Sequence, residues 1–197
     1  MSNTVNNEKF KLLHKPPKGK MGGLLIVFIW IAIWNIIYQF VHDAWHDMPI
    51  VNWAFFISVT IFFMQEELTY KQRFWHTLVG GSVGLLLAAG VSILARQLMG
   101  FGLSHAIAVS IPLFVVIAML ILLHPYLPLF FNNVGFCYLI IAFIESGKIV
   151  EQLPNYLLSL LLGSICLNLG CSVLIGFYTK QRKKKALAAA QAQTAAK

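Results

Sequence analysis

Long uninterrupted runs of apolar residues, separated by short polar segments, dominate the pattern of this chain. A helix that crosses a bilayer needs about 20 apolar residues. Four runs have that length, at 22–41, 76–98, 103–123 and 155–178, and two shorter runs lie at 50–64 and 129–144. Proline stands at or just before three predicted helix starts, where a missing N–H costs little: Pro49, Pro128 and Pro154. The pattern predicts an all-α, polytopic integral membrane protein with six transmembrane helices.

The composition agrees with a membrane protein and excludes soluble classes. Of the 197 residues, 58% are hydrophobic and 11% are charged, and the mean hydropathy is +0.74. Soluble domains carry about 25% charged residues. We therefore exclude a soluble enzyme, a secreted disulfide scaffold and a disordered regulator. Because the sequence contains no HExxH, P-loop or Rossmann motif, and because no base can be assigned as a partner to Ser82 or the other serines of the apolar runs, we expect neither catalysis nor a cofactor.

Basic residues concentrate at the two ends of the chain, which carries a net charge of +8. Five lysines precede the first run, six Lys or Arg residues follow the last, and Lys71 and Arg73 join them if both termini lie on one side. Only Arg96 and Lys148 then fall on the other side, so the charges predict a bacterial inner-membrane protein with both termini cytoplasmic. The predicted domains are a basic tail at 1–21, a transmembrane domain at 22–178 and a basic, Ala- and Gln-rich tail at 179–197.

The basic tails are expected to bind anionic lipid headgroups. Each cation near such a surface gains about 1 kcal/mol. Nucleic acid is the competing partner for the lysine run at 183–185. No aromatic residue interleaves with these lysines and a membrane segment lies directly beside them, so we do not expect nucleic-acid binding.

The chain contains an internal similarity. The stretch TLVGGSVGLLLAAGVSIL resembles LSLLLGSICLNLGCSVL when Gly81 is placed on Gly163, and the same shift puts 53–63 over 135–145. Each half then holds three helices, and an odd number of spans inverts the second half relative to the first. The sequence therefore predicts an inverted repeat, with chance similarity between two Leu- and Gly-rich helices as the alternative. Short runs at matching places in the two halves also point to a site near the middle of the membrane. The alternative is that they are plain helices extended by their polar flanks.

Small residues line one face of the third and of the sixth predicted helix. Such faces let two backbones approach closely where lipid supplies no hydrophobic drive. The two sets are Gly80, Gly84, Ala88 and Ser92, and Ser159, Gly163, Cys166 and Gly170. We expect them to pack the third helix on the sixth, or to form the interface of a homo-oligomer. The three cysteines are expected to be reduced packing residues: Cys137, Cys166 and Cys171.

A polar stripe follows the first predicted helix to its outer end. The stripe consists of Asn35, Gln39, His42 and His46. These four residues fall within about 60° of one another if the helix continues through His46. Amide side chains on such a face can line a path for a solute, or they can hydrogen-bond to another helix. Together with polar residues of the fifth and sixth helices they form the predicted substrate pathway: Asn35, Gln39, His42, His46, Asn132, Asn133 and Asn168.

Two further features accompany this stripe. Trp30, Trp34 and Tyr38 form a parallel aromatic stripe on the same helix. His42 and His46 could share a metal ion, but no third ligand can be assigned, so no metal site is predicted.

No charged residue is clearly embedded in the middle of an apolar run. This argues against a proton-coupled pump and against a voltage sensor, since both need charge within the membrane. We therefore predict a transporter, channel or facilitator for a small polar or anionic solute. The alternatives are a non-transporting membrane scaffold or subunit of a larger complex and, third, a metal-responsive sensor that uses His42 and His46.

Several runs resemble known families of bacterial inner-membrane proteins. NWAFFISVTIFF and TLVGGSVGLLLAAGV resemble the first half of the family grouped as domain of unknown function 1097, and PLFFNNVGFCYLIIAFIES with LPNYLLSLLLGSICLNLG is similar to its closing helix pair. The likeness covers about residues 50 to 178. A remoter similarity is to the membrane halves of fusaric-acid-resistance and aromatic-acid-exporter proteins, and it implies efflux of small organic acids. This chain departs from them in lacking a large cytoplasmic domain and in its basic N-terminal tail.

Overall fold

The computed structural model describes residues 20–61, 68–144 and 146–195; 86% of these are helical, with no strand among them. The basic segment 1–19, residues 62–64 of the second apolar run and the last two residues lie outside the described residues. The helices, in chain order, are α1 (Lys20–Ala44), α2 (Asn52–Phe56), α3 (Tyr70–Gly100), α4 (His105–Leu123), α5 (Asn133–Ile144), α6 (Ile149–Gly163) and α7 (Gly170–Ala195). A 3₁₀ turn, Ile57–Thr60, continues α2, another, Ser146–Lys148, precedes α6, and a π segment, Ser164–Leu169, joins α6 to α7 in one continuous helix.

Four helices among the described residues are long and apolar enough to cross a membrane: Met21–Ala44, Tyr70–Gly100, His105–Leu123 and Ile149–Ala189. They match the first, third, fourth and sixth predicted runs, which confirms the predicted all-helical class. The fifth run is a shorter apolar helix of 12 residues, α5. The predicted C-terminal tail continues the sixth helix as far as Ala195.

The third helix begins six residues earlier than predicted, at Tyr70. Thr69 and Gln72 form a capping box at this point. The Thr69 hydroxyl accepts from the Gln72 N–H at 3.4 Å, and the Gln72 side-chain oxygen accepts from the Thr69 N–H at 3.0 Å. This pairing satisfies two backbone donors that a helix start otherwise leaves unpaired, and so it sets the start of α3.

The sixth helix also begins earlier than predicted, at Ile149. The prediction that Pro154 stands at or just before its start is therefore wrong, because Pro154 lies inside α6. Glu151 in the first turn favours the earlier start, since a negative charge stabilises a helix N-terminus. Pro154 removes one helical hydrogen bond close to that end.

The central helix is α3, which packs against α4, α5 and α6. Its glycine face meets α5: a Cβ on Gly84 would lie 2.1 Å from the Gly135 carbonyl oxygen, and one on Gly80 would overlap the Asn132 side chain. The third helix does pack on the sixth, as predicted, but Gly80 and Gly84 are not the residues of that contact, since they meet α5. Gly135 has no side chain, so α5 can approach α3 more closely here. Further along the same face, Ala88 and Ser92 are buried.

The small residues of the sixth helix also pack on helices other than α3. A Cβ on Gly163 would lie 2.1 Å from the Phe55 carbonyl oxygen of α2. The Ser159 hydroxyl accepts a hydrogen bond from the Val51 N–H at 2.7 Å. Since Val51 meets Ser159 and Phe55 meets Gly163, α2 and α6 run in the same direction. The third small residue, Gly170, packs against α1.

The starts of α1 and α3 lie at the same end of the protein as the end of the apolar part of α7. A Cβ on Gly22 would overlap the Tyr178 hydroxyl, and one on Gly176 would lie 4.0 Å from the Tyr70 ring. The basic residues that follow Tyr178 therefore lie at the same end as the first turn of α3.

The short helix α5 runs parallel to α3. Just before α5, Asn132 donates to the His76 carbonyl at 3.0 Å, and just after it, Gly147 accepts from the Arg96 guanidinium at 3.5 Å. His76 and Arg96 stand about 30 Å apart along α3 at 1.5 Å per residue. With its flanking turns, α5 therefore extends along about one bilayer core thickness of α3.

Candidate functional site

The π segment lies near the middle of the sixth apolar run. A π turn is wider than an α turn, and π segments are frequent at functional sites. Here the Cys166 carbonyl accepts a hydrogen bond from the indole N–H of Trp30 at 2.8 Å. Gly170 allows this contact, because a Cβ there would lie 2.6 Å from the Trp30 indole nitrogen. The π segment is therefore held from the α1 side by a tryptophan.

The 3₁₀ turn after α2 packs against the π segment from another side. The Ser58 hydroxyl donates to the Phe55 carbonyl at 2.8 Å, and the Thr60 hydroxyl donates to the Ile57 carbonyl at 2.7 Å. The same Phe55 carbonyl faces Gly163, the last residue before the π segment. One helix thus tightens where its neighbour widens. Irregular helices at membrane depth are tolerated where they are buried in protein or line a cavity.

Asn168 is the amide residue of the π segment, and it is fully buried. Its amide nitrogen donates to the Thr77 hydroxyl at 2.8 Å and to the Arg73 carbonyl at 3.2 Å. Thr77 in turn donates to the same carbonyl at 2.8 Å. The Ser172 hydroxyl donates to the backbone carbonyl of Asn168 at 2.8 Å. Arg73, Thr77, Asn168 and Ser172 form the Asn168 cluster, which joins α3 to the sixth helix.

The acceptor atom of the Asn168 amide is unused. Among the described residues its Oδ1 atom has no hydrogen-bond partner, and neither has the buried hydroxyl of Ser164. An unpaired buried acceptor costs about 1–3 kcal/mol, so each such atom in a native protein calls for an explanation. The cluster can offer this oxygen to a solute that carries a hydrogen-bond donor.

Asn132 fixes the start of α5. Its side-chain oxygen accepts from the Gly135 N–H at 3.0 Å, and its amide nitrogen donates to the His76 carbonyl at 3.0 Å and to two carbonyls of the preceding turn at 3.1 and 3.2 Å. Both ends of this amide are therefore used within the protein, as in a helix cap. The neighbouring Asn133 is exposed.

The polar stripe of α1 lies on the outside of the chain, where Asn35, Gln39 and His42 are all exposed. The prediction that the stripe continues to His46 is wrong, because α1 ends at Ala44 and His46 lies in the turn that follows. Pro49 comes shortly after, and neither proline nor the residue before it favours a continuing helix. These exposed side chains do not join the buried Asn168 cluster.

The buried face of α1 is the aromatic one. Trp30 and Trp34 meet edge to face with their ring centres 6.1 Å apart, and the Tyr38 hydroxyl donates to the Ile50 carbonyl at 2.9 Å. The Nδ1 atom of His42 lies 4.0 Å from the Oδ1 atom of Asp43. Within 20–61, 68–144 and 146–195, no three His, Cys, Asp or Glu side chains lie close enough to hold a metal ion.

Two members of the Asn168 cluster escaped the sequence analysis, Thr77 and Ser172. A serine or threonine in an apolar helix can donate its hydroxyl hydrogen to the carbonyl four residues earlier. The presence of such a residue in the sequence therefore does not by itself indicate a functional site. A signal did exist for Thr77. The shift that places Gly81 on Gly163 also places Thr77 on Ser159, the residue that binds the start of α2.

Comparisons of this chain with protein-family models, with curated proteins and with solved structures find no match. The resemblance to inner-membrane families therefore stays a prediction. The functional assignment rests on the geometry of the described residues.

Proposed function

We propose that this chain is a six-span protein of the bacterial inner membrane that lets a small polar or anionic solute pass at the Asn168 cluster. The observation that carries the proposal is the fully buried Asn168 amide with its unused oxygen, set in a π segment near the middle of an apolar span. Many transporters bind their substrates where a membrane helix is irregular. Here the irregular segment lies beside the first two turns of α3, between the headgroup level and the midplane.

Equivalent contacts in the two halves support the inverted repeat. In each of the helix pairs α3–α5 and α6–α2, a glycine of one helix packs against a backbone carbonyl of the other. In addition, α4 packs on α3 as α1 packs on the sixth helix. Thr77 and Ser159, which coincide under the repeat shift, donate to the carbonyls of Arg73 and Asn155, four residues earlier. Each of the two hydroxyls also accepts a hydrogen bond from the other half, Thr77 from Asn168 at 2.8 Å and Ser159 at 2.7 Å.

The ends of the helices support the proposed orientation. The start of α3, with Lys71, meets the end of the apolar part of α7, which the basic residues after Tyr178 follow, at one end of the protein, and Arg96 and Gly147 meet at the other. The described part of α2 and the whole of α5 run in the directions that six spans require.

Cysteine labelling tests the topology. Single cysteines at Lys71 and Gly147, in a chain otherwise free of cysteine, are labelled with a membrane-impermeant maleimide from either side of intact and inverted vesicles. We expect Lys71→Cys to react only from the cytoplasm and Gly147→Cys only from outside. Labelling of both positions from one side would mean that the second and fifth helices do not span, and the inverted repeat would be lost.

Solute flux tests the site. Proteoliposomes are made with the wild-type chain, with Asn168→Leu and with the matched control Gln97→Leu, which changes an exposed amide outside the predicted pathway. Swelling rates are measured with glycerol, urea and sodium benzoate as probes. For any probe that enters faster than into empty liposomes, we expect Asn168→Leu to lower the rate by about tenfold, because an essential hydrogen bond to the solute is worth about 1.5 kcal/mol or more.

The control Gln97→Leu should keep wild-type flux. Size-exclusion profiles and melting temperatures in detergent check that both variants fold. Unchanged flux in a folded Asn168→Leu variant would remove the assignment, and no flux of any probe through the wild-type chain would count against a facilitator for such solutes.

A second candidate function is a non-transporting subunit of a larger membrane complex, and the exposed amides of α1 favour it. Asn35 and Gln39 lie within an apolar span yet face outward, and amides at that depth usually pair with another helix. Purification in a mild detergent with and without Asn35→Leu and Gln39→Leu tests this. A stoichiometric second protein lost in the double variant supports the complex, whereas a second copy of the chain supports a homo-oligomer.

A further inference from the structure

A groove of about 310 Å³ lies between α3 and the sixth helix, at the end where Tyr70 meets Gly176. Its walls are Tyr70, Lys71 and Phe74 on one side and Leu169, Ser172 and Val173 on the other. The groove opens sideways, away from the core, since Leu169 is 46% and Val173 63% exposed. A molecule that enters it must come from the surroundings of the apolar span.

The groove is mostly apolar, and its charge is positive at one end. Lys71 is the charged residue of its lining. Lys180 follows Val173 by two helical turns, so it lies on the same face of α7, beyond the groove. The basic run at 183–185 continues the same helix.

Aromatic and basic side chains pair at this end of the protein. The Arg73 guanidinium lies 5.8 Å from the centre of the Tyr70 ring, and the Arg182 guanidinium lies 6.0 Å from that of Tyr178. Tyrosine and arginine at the ends of membrane helices mark the headgroup level of a bilayer. The groove therefore extends from headgroup depth into the apolar span.

We infer that this groove is a binding site for one anionic phospholipid. An acyl chain lies along Phe74, Leu169 and Val173, and the phosphate lies against the Lys71 ammonium. Basic sites between membrane helices on the cytoplasmic side recognise lipid headgroups in this way. The inference rests on the proposed orientation and not on solute transport, so a chain that moves no solute still binds the lipid.

Native mass spectrometry of the full chain in detergent tests the site. Dioleoyl-phosphatidylglycerol or dioleoyl-phosphatidylcholine is added, two lipids with the same chains and different headgroup charge. The variants are Lys71→Gln, which removes the charge, and Val173→Trp, which fills the groove. The matched control is Lys148→Gln, which removes a lysine from the other end.

We expect the wild-type chain to retain one phosphatidylglycerol in preference to phosphatidylcholine. Lys71→Gln should lower the retained phosphatidylglycerol by about fivefold and the retained phosphatidylcholine by less, because the choline ammonium offsets the charge of its phosphate. Val173→Trp should lower the retention of both lipids, because it blocks the chain rather than the headgroup.

Two results would overturn the site. One is equal retention by wild type and Lys71→Gln, and the other is an equal loss with Lys148→Gln, which would mean general attraction to a basic protein. The three altered residues, Lys71, Val173 and Lys148, are all exposed, so folding should be kept. A melting curve of each variant verifies this.

Discussion

The helix pairs α3–α5 and α6–α2 both bring a glycine close to a backbone carbonyl, yet one pair is regular and the other is not. α3 is a continuous α-helix of 31 residues, and α5 is an α-helix throughout. In the other pair α2 gives way to a 3₁₀ turn after five residues, and α6 widens into a π segment. The α3–α5 pair therefore serves as the frame of the protein. The irregular backbone lies in the α6–α2 pair, which also holds three of the unpaired buried polar atoms of the described residues, those of Trp53, Ser164 and Asn168, against one in α3, that of His76.

The largest expected effect tests the frame. Gly84→Ala would place a Cβ 2.1 Å from the Gly135 carbonyl oxygen, a backbone atom that cannot move without shifting α5. We expect a loss of about 3 kcal/mol or complete failure to fold, seen as a melting temperature lower by about 6–12 °C. The matched control is Gly90→Ala, whose Cβ would meet nothing within 4 Å. Equal melting temperatures for the two variants would contradict the close α3–α5 contact.

A second substitution makes the same change in the irregular pair. Gly163→Ala would place a Cβ 2.1 Å from the Phe55 carbonyl oxygen. A 3₁₀ turn begins just after Phe55 and a π segment just after Gly163. Because these irregular segments can adjust, we expect the backbone to shift and the stability loss to be only about 1–2 kcal/mol. Solute flux should nevertheless fall by about tenfold, since the displaced turn adjoins the proposed site. Wild-type flux in the Gly163→Ala variant would show that the α6–α2 contact is not needed for solute passage.

Paired hydroxyl substitutions test the equivalence of the halves. Thr77→Val leaves the Asn168 amide nitrogen with one acceptor fewer, and Ser159→Ala leaves the Val51 N–H without its acceptor. Each should cost about 1–2 kcal/mol by thermal melting, and the two losses should agree within about 0.5 kcal/mol. Ser82→Ala is the control, because its hydroxyl bonds only to the Leu78 carbonyl among the described contacts. A large loss at one site alone would weaken the repeat.

The smallest effect concerns the contact between α1 and the π segment. Trp30→Phe removes the N–H that donates to the Cys166 carbonyl and keeps most of the ring. We expect a loss of about 1 kcal/mol, or about 2–4 °C in melting temperature. Trp45→Phe, in the exposed turn after α1, should leave the melting temperature unchanged. If both variants melt alike, the indole does not hold the π segment.

The predictability of the fold follows from which signals are local. The apolar runs and the polar segments between them predicted the long helices, because hydropathy alone decides membrane length. The early start of α3 follows from Thr69 and Gln72, whose spacing is that of a capping box. The apolar run alone, which begins at His76, does not contain this signal. The end of α1 at Ala44 depends on the approach to Pro49, which was treated as the start of the next helix and not as the end of the previous one.

The site was less predictable, since pairing between distant segments decides it. Asn168 was identified because an amide inside an apolar run is costly wherever it lies. The π segment around it has no proline or special residue to mark it, and the glycine partner Gly135 lies in a different helix from the one expected. Asn35 shows the converse: helical spacing placed it correctly on a stripe with Gln39, but spacing cannot say whether a stripe faces the core or the outside.

The unbroken helix from Ile149 to Ala189 has a mechanical consequence. At 1.5 Å per residue it is about 60 Å long, roughly twice the thickness of the bilayer core, so it extends beyond the apolar run 155–178 at both ends. The part beyond Tyr178 is basic and exposed, and it is helically continuous with the turn that carries Asn168. A protein that bound this exposed part of the helix from the aqueous side could therefore rotate the π segment directly, because the helix between them is continuous.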